Sequence, residues 1–435
     1  MPSDLAPLWP LDPSITFLNH GSFGSCPRSV LETQRAFRDR LEAQPIQFLA
    51  RDLNGLLASA RAAVGAFVGA DPDDLAFVTN ATGAVNAVLR SMRLEPGDEI
   101  LTDDHEYNAI LNIVRHVAAT QGARVVLARI PFPVRSEDDV VEAILGAVTD
   151  RTRLAVLSHV TSPTALVFPV RRLVAELAAR GVETFVDGAH APGMIALDLD
   201  AIGAAWYTGN LHKWVCAPKG AGFLHARRDR QDGVRPTTIS HGANAILGER
   251  GATTRYRAEF DWQGTLDPTA WLAVPDALET VGGLLDDGWP AVMARNHAVA
   301  VTTRSVMTEA LGLDAAVPAP EAMLGSMVAL PLPASGRLAT DGAGSSPLDT
   351  DPLQQRLLDE FRIEVPIYPF PVPAAESPEP PRRLVRVSSA LHNGPDDVEQ
   401  LAAALRAIEG SEAMDGVAPT GERGAAVQAA GRSIR

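Results

Sequence analysis

The sequence predicts an α/β chain: a mostly parallel sheet with helices on both faces, followed by a smaller α+β portion at the C-terminal end. Three observations lead there. Strand and helix signals alternate through the first two-thirds of the chain, the pattern of a parallel sheet joined by helical crossovers. The 435 residues are 46% apolar and 21% charged, an ordinary globular composition with length for more than one domain. After about Asp267 the character shifts to longer helix signals and Pro-rich connectors.

The elements follow in order. Residues 74–80 (DLAFVTN) read as a strand that runs into a helix at 81–92. A strand at 99–102 precedes a helix at 107–120. Next come a strand at 123–130, a helix at 138–148 and a strand at 153–158. A helix at 169–180 leads to a strand at 182–187, and strands at 204–208 and 222–226 follow. Helices are predicted at 271–285 and 289–311. Residues 331–352 form a Gly/Ser/Pro-rich connector. A helix at 353–361, an irregular loop at 366–381 with seven prolines, a strand at 384–388 (LVRVS) and an amphipathic helix at 396–408 complete the chain. This divides it into a large domain over 15–265 and a small domain over 266–410 that takes in residues 1–14. Residues 411–435 carry little but Gly, Ala and charge, and a disordered tail is expected.

Charge and cysteine content narrow the function. The net charge is −15 and the pI about 5.1, which argues against binding nucleic acid or an anionic membrane. Two cysteines exclude a disulfide scaffold and suit a reducing compartment. No uncharged apolar run is long enough to span a bilayer, and no signal peptide opens the chain. A cytoplasmic protein acting on a small molecule is expected.

Of 38 basic residues only two are lysine, Lys213 and Lys219. A genome biased towards arginine codons accounts for the scarcity but not for where lysine remains. Arginine replaces lysine wherever positive charge suffices; it cannot replace a neutral, nucleophilic amine. A Schiff-base lysine needs such an amine. The segment His212-Lys213-Trp214 is therefore singled out, whereas Lys219 sits in an Ala-Pro-Lys-Gly turn that suits a structural role.

Three further motifs stand out. Residues 79–86 (TNATGAVN) lie where a strand becomes a helix. Free N–H groups and the helix dipole make such a point a phosphate seat, with a hydroxyl from Thr82; an N-cap by Asn80 or Thr82 is the plainer alternative. Asp187, in VDGAH, stands at the carboxyl end of a strand, where ligands of α/β sheets bind. It suits a cofactor ring nitrogen or a helix N-cap. Arg386 lies inside the apolar strand LVRVS, a costly place without an anion; a substrate carboxylate would meet it bidentately, and an internal ion pair is the alternative. The histidines at 105, 159, 190, 212, 225 and 241 show no metal-ligand spacing. Gly-x-Ser-x-Gly, Gly-x-x-x-x-Gly-Lys and Gly-x-Gly-x-x-Gly are all missing.

Phosphate seat, ring-nitrogen Asp, His-Lys and late Arg, in that order, resemble the fold-type I pyridoxal-phosphate (PLP) enzymes. The closer resemblance is to the class V aminotransferase superfamily and its isopenicillin N epimerase-like branch. The segments that carry it are LNHGSFG (18–24), TNATGAVNAV (79–88), DHEYNAI (104–110), SHVTSPTALVFPV (158–170), VDGAHAPG (186–193), HKW (212–214), DWQGTLDPTAW (261–271) and RVSSALHN (386–393). They span most of the chain to about residue 410.

The resemblance implies a large domain with a seven-stranded-type sheet and a set of roles. Lys213 would hold PLP covalently and then move protons at the substrate. Asp187 would pair with the pyridinium nitrogen, with His190 near the ring hydroxyl. Thr82, Gly83, Asn210 and His212 would bind phosphate, and Tyr107 would stack on the ring. Ser162 stands where many relatives carry an Asn near the ring hydroxyl. Gly264 and Thr265 would reach the phosphate of a neighbouring subunit, which implies a homodimer with shared active sites. Arg386 would clamp the substrate α-carboxylate, with Asn19 and His20 nearby. Residues 320–385 contain no cysteine, so persulfide chemistry of the desulfurase kind is not expected.

Among reactions open to such a site, β-elimination of a cysteine S-conjugate needs one base, Lys213. Epimerisation needs a second proton donor, for which Tyr107, His105 and His20 are the candidates. A Tyr stacked on the ring would tend to block that face. A C–S β-lyase of specialised metabolism, such as antibiotic biosynthesis, is therefore the first expectation and an epimerase the second. Transamination and decarboxylation stand behind them. A non-catalytic protein on a PLP scaffold is disfavoured by the joint presence of Lys213, Asp187 and Arg386.

Overall fold

A computed structural model describes residues 3–248, 254–339, 350–377 and 380–410. The tail expected at 411–435 and residues 340–349 of the connector lie outside them. The strands, in chain order, are β1 Thr16–Phe17, β2 Leu75–Val78, β3 Glu99–Asp103, β4 Arg124–Ala128, β5 Thr152–Ser158, β6 Glu183–Gly188, β7 Trp206–Asn210, β8 Gly222–Ala226, β9 Met327–Pro331, β10 Ile363–Glu364, β11 Ile367–Phe370 and β12 Arg382–Ser388.

Seven strands form one sheet in the order β2-β8-β7-β6-β5-β3-β4. β8 runs antiparallel to both of its neighbours and every other pairing is parallel. The sheet is buried on both faces because each strand is apolar on both sides. In β5, Leu154 and Val156 enter one core while Ala155 and Leu157 enter the other, as the two-residue period of a strand requires. One face is covered by the helices Ala81–Ser91 and Asn108–Gln121, through Val85, Val88, Ile110 and Val114. The other is covered by Leu53–Val68, Glu137–Gly146 and Val170–Ala178, through Leu57, Val64, Ile144, Leu173 and Leu177.

This arrangement fixes where chemistry can occur. β3, β5, β6 and β7 point the same way, so Asp103, Ser158, Asp187 and Asn210 gather at one edge of the sheet, outside its carboxyl ends. The C-terminal part adds a three-stranded antiparallel sheet, β11-β12-β9, and β10 pairs with β1. The chain entering the first helical turn, His20–Phe23, is thereby anchored to the C-terminal part.

Several elements depart from the sequence reading. The helices Arg28–Ala43 and Leu53–Val68 and strand β9 were not foreseen. The helix expected at 271–285 is two helices, Thr269–Leu272 and Val274–Gly282, because Pro275 has no N–H to continue the ladder from Trp271. The loop expected at 366–381 contains β11. β11 is an edge strand, where proline is tolerated because one side of the strand needs no donor.

Gly24 holds the first helical turn against the sheet edge. Its φ is +68° and ψ 171°, a region only glycine adopts readily, and a Cβ would overlap the His212 carbonyl oxygen. Gly24→Ala is expected to cost at least ~1–3 kcal/mol, read as a lower urea midpoint with an unchanged m-value.

Candidate active site

The site assembles at the carboxyl ends of β5, β6 and β7. Lys213 follows β7 in a tight turn and is only 9% exposed. Its Nζ lies 3.0 Å from His190 Nε2. Burial, and secondarily the nearby Arg386 guanidinium, lower the amine to about 7, with Asp187 opposing the shift. A neutral amine is thus accessible near neutral pH, as a nucleophile or base requires. Burial lowers His190 well below its usual range, with Lys213 and Arg386 adding to the shift; its Nδ1 is buried without a partner.

Asp187 ends in a dry environment. It accepts the Ala189 N–H at 2.9 Å, and burial raises its carboxyl against the opposing pull of that bond and of Lys213. A carboxylate short of a counter-cation at a strand end suits a protonated ring nitrogen. Beyond it, Asn210 Oδ1 accepts the Ala81 N–H at 2.8 Å and Asn80 caps the same helix through the Gly83 N–H at 2.9 Å. The plainer of the two sequence alternatives is observed: Asn80 is the cap, and Thr82 and Gly83 stand half-buried on the first turn of Ala81–Ser91. His212 Nδ1 contacts the Ala221 carbonyl at 3.1 Å. Lys219 donates to the Gly24 carbonyl at 2.9 Å, the structural role its turn suggested.

Arg386 is 1% exposed. Nη1 donates to the Ser162 carbonyl at 2.7 Å and to Ser162 Oγ at 3.2 Å. Nη2 donates to Ser22 Oγ at 3.0 Å and to Tyr368 Oη at 3.4 Å, and the guanidinium lies 4.8 Å over the Tyr368 ring. Nε has no partner. These partners are all neutral, and among the described residues no acidic side chain forms an ion pair with Arg386. A buried cation held only by neutral oxygens is a seat for an anion. Asn19 sits one step away, bonded to Ser22 and to Glu364.

The remaining residues take other places. Tyr107 is 46% exposed at the N-terminus of Asn108–Gln121, close enough to Tyr368, Arg386 and Asp187 for mutual electrostatic influence. His105 is buried with both ring nitrogens engaged, at Thr164 Oγ1 and the Ile130 carbonyl. His20 is buried behind Lys213, against its main chain rather than beside Arg386. All four ring nitrogens of the two histidines are thus engaged within the protein. Gly264 (φ +111°) borders open space and Thr265 is exposed.

Sequence reasoning missed Ser22, Tyr368 and Glu106. Ser22 and Glu106 lay inside motifs already noticed, and Tyr368 was hidden in the Pro-rich segment. Glu106 is fully buried, accepting Ser158 Oγ at 2.7 Å and the Tyr107 N–H at 2.6 Å. Burial, Asp187 and Asp103 raise its carboxyl well above the usual range. In the run Asp103-Asp104-His105-Glu106 it carries no signal that sets it apart from its acidic neighbours.

Comparisons with known proteins identify the family. The family model described as "Aminotransferase class-V" matches residues 18–335. An isopenicillin N epimerase of Amycolatopsis lactamdurans is 41% identical over 408 residues, covering 92% of this chain and 96% of that protein. A probable chloroplastic L-cysteine desulfhydrase of Arabidopsis thaliana is 32% identical, covering 91% and 83%. Among solved structures, a complex between the cystine C–S lyase C-DES and cysteine persulfide superposes with a TM-score of 0.71 at 20% identity, covering 90% and 97%. That last likeness concerns the fold.

The lowered Lys213 amine is open to test. Its reaction with added PLP is expected to slow about tenfold from pH 8 to pH 6, because an amine titrating near 7 is mostly neutral at the first pH and mostly protonated at the second. An ordinary lysine would lose about a hundredfold over the same range. Stopped-flow absorbance measures it; a hundredfold loss would refute the assignment.

Proposed function

We propose a reaction for this chain, which belongs to the class-V aminotransferase family and is a PLP-dependent enzyme: removal and return of the Cα proton of an α-amino acid, with inversion at that carbon. The observation that carries the reading is the pairing of Lys213 and Arg386 in one dry site. One offers a near-neutral amine; the other is a buried cation with no acidic partner. An α-amino acid presents complementary groups, an amine and a carboxylate.

The donor set fits the cofactor. Lys213 would hold it, Asp187 would accept the ring N–H, His190 would stand by the ring hydroxyl and Tyr107 on the ring face. Ser162 is drawn to Arg386, so we place it at the substrate carboxylate. Thr82, Gly83, Asn210 and His212 would serve the phosphate, with Gly264 and Thr265 supplied by a second copy in a homodimer. When bound, PLP supplies electron withdrawal that acidifies Cα–H.

The protein's own groups do the rest. Arg386, steadied by Ser22, Ser162 and Tyr368, orients the carboxylate and so sets which bond at Cα faces Lys213. Lys213, with a substantial neutral fraction near pH 7, takes the proton. With His105 and His20 engaged elsewhere, the phenols of Tyr107 and Tyr368 are our candidates to return one without Lys213, ahead of the Ser22 and Ser162 hydroxyls that also sit on Arg386. Similarity to the epimerase, closer than to the desulfhydrase, supports inversion and reverses the preference formed from sequence. C–S β-elimination is the second reading. The desulfhydrase relative supports it, and Lys213 alone could serve as its base.

Incubation with L-amino acids in D2O separates the two. Inversion is expected to yield D-enantiomer with deuterium at Cα and no keto acid. Pyruvate and ammonia from cysteine or its S-conjugates, without D-product, would establish the lyase. Neither product from any amino acid would sink both.

The carboxylate seat has its own check. Arg386→Leu is expected to raise KM about 100-fold, since a charge-assisted pair of hydrogen bonds is worth about 2.7 kcal/mol. An unchanged KM would remove Arg386 from substrate binding.

A further inference from the structure

His20 and His392 form a buried polar pair that the reaction above does not use. Both lie out of solvent. His20 Nε2 is 3.0 Å from the Lys213 carbonyl and its Nδ1 is 3.1 Å from His392 Nε2. Cys216 Sγ also faces His20 Nε2, at 3.6 Å, and the shorter contact, to the Lys213 carbonyl, fixes the role of that nitrogen. A carbonyl only accepts, so His20 Nε2 carries the hydrogen. Burial holds His20 down to about 4, against the opposing pull of that carbonyl, so the ring is neutral near pH 7 and its Nδ1 is bare. A bare nitrogen accepts, so His392 Nε2 must donate. The direction is therefore single: His392 to His20, and His20 to Lys213.

The surroundings leave little room for another arrangement. The Lys213 carbonyl also accepts the Cys216 N–H at 3.0 Å, which closes the turn that carries the lysine. The His20 ring lies 5.1 Å from the Trp214 ring and 5.1 Å from His392, and Trp9 meets His392 edge-on at 5.5 Å. The same helical turn that carries His20 places Ser22 on Arg386, and the Gly21 N–H is bonded to Ser388 Oγ at 3.0 Å. One turn thus touches the main chain of Lys213 on one side and the side chain of Arg386 on the other.

We propose that His20 is a positioning residue for Lys213: oriented by His392, it pins the lysine's main chain by donating to its carbonyl, and it is neither a substrate ligand nor an acid–base group. This rests on Lys213 being the residue that holds the cofactor. A misplaced amine costs rate rather than substrate affinity, because the carboxylate seat is left intact.

The test compares three variants as PLP-loaded protein. His20→Gln retains an N–H at the position of Nε2; His20→Phe keeps ring volume and removes it; His392→Phe removes the group that orients His20. His20→Phe is expected to lower kcat by about 10- to 100-fold with KM within about twofold of the parent. It is also expected to shift the pH at which the visible absorption of the lysine-bound cofactor titrates. His20→Gln is expected to restore most of the rate and the parental titration, and His392→Phe to move both in the direction of His20→Phe. Thermal unfolding accompanies each; should His20→Phe fail to fold, His392→Phe and His20→Gln decide alone. A parental kcat and titration in the Phe variants would overturn the proposal, as would a His20→Gln variant that folds normally yet has lost rate. Failure of the Lys213 reading shows differently: the parent protein itself would develop no visible absorption with PLP, or Lys213→Ala would retain it.

Discussion

Two cations, Lys213 and Arg386, share one water-poor site at the edge of the sheet, and much of the structure follows from keeping them there. Removing unpaired charge from water is costly. The site meets that cost differently for each. Lys213 relieves it by tending to the neutral form, helped by Arg386 and opposed by Asp187. Arg386 spreads its charge over the Ser162, Ser22 and Tyr368 oxygens and the Tyr368 ring. The same imbalance would make the site receptive to an amino acid's carboxylate, as proposed above.

A second electrostatic feature lies beneath. Asp103, Glu106 and Asp187 are buried together at the strand ends, and burial raises all three, with Asp103 pushed up to about 8. Like charges in a dry pocket cannot all ionise. A cationic ring nitrogen beside Asp187 would relieve part of this repulsion. The acids and the two cations thus form a field whose balance the proposed cofactor and substrate would complete, which is how a fold holds groups at charge states water would not allow.

Connectivity explains how distant parts of the chain meet. β1 pairs with β10, Ser388 donates its N–H to the Leu18 carbonyl, and the turn His20–Phe23 then lies between the Lys213 loop and Arg386. Residues near 20, 213 and 390 are joined by backbone pairing and by hydrogen bonds whose partners are far apart in sequence. Gly24 permits the close approach, since any side chain there would meet His212.

Period and composition determined the class of fold. Runs such as LAFV and LAVLS are apolar on both faces and separated by amphipathic helices, and only a sheet covered on both sides buries them. Scarcity of lysine pointed to Lys213 because amine chemistry has no substitute, and an arginine within LVRVS marked Arg386 because isolated charge is not tolerated there. These signals are local, and a single sequence carries them. What tertiary structure alone decided was which neighbours each group has. His20 was expected beside the substrate and lies behind Lys213. Tyr368 sat in a segment read as loop and forms an edge strand against β12, with its ring under Arg386. Glu106 looked like any acid near a strand end and is buried near Asp187. Burial and partnership arise from contacts between elements hundreds of residues apart, and no local pattern encodes them.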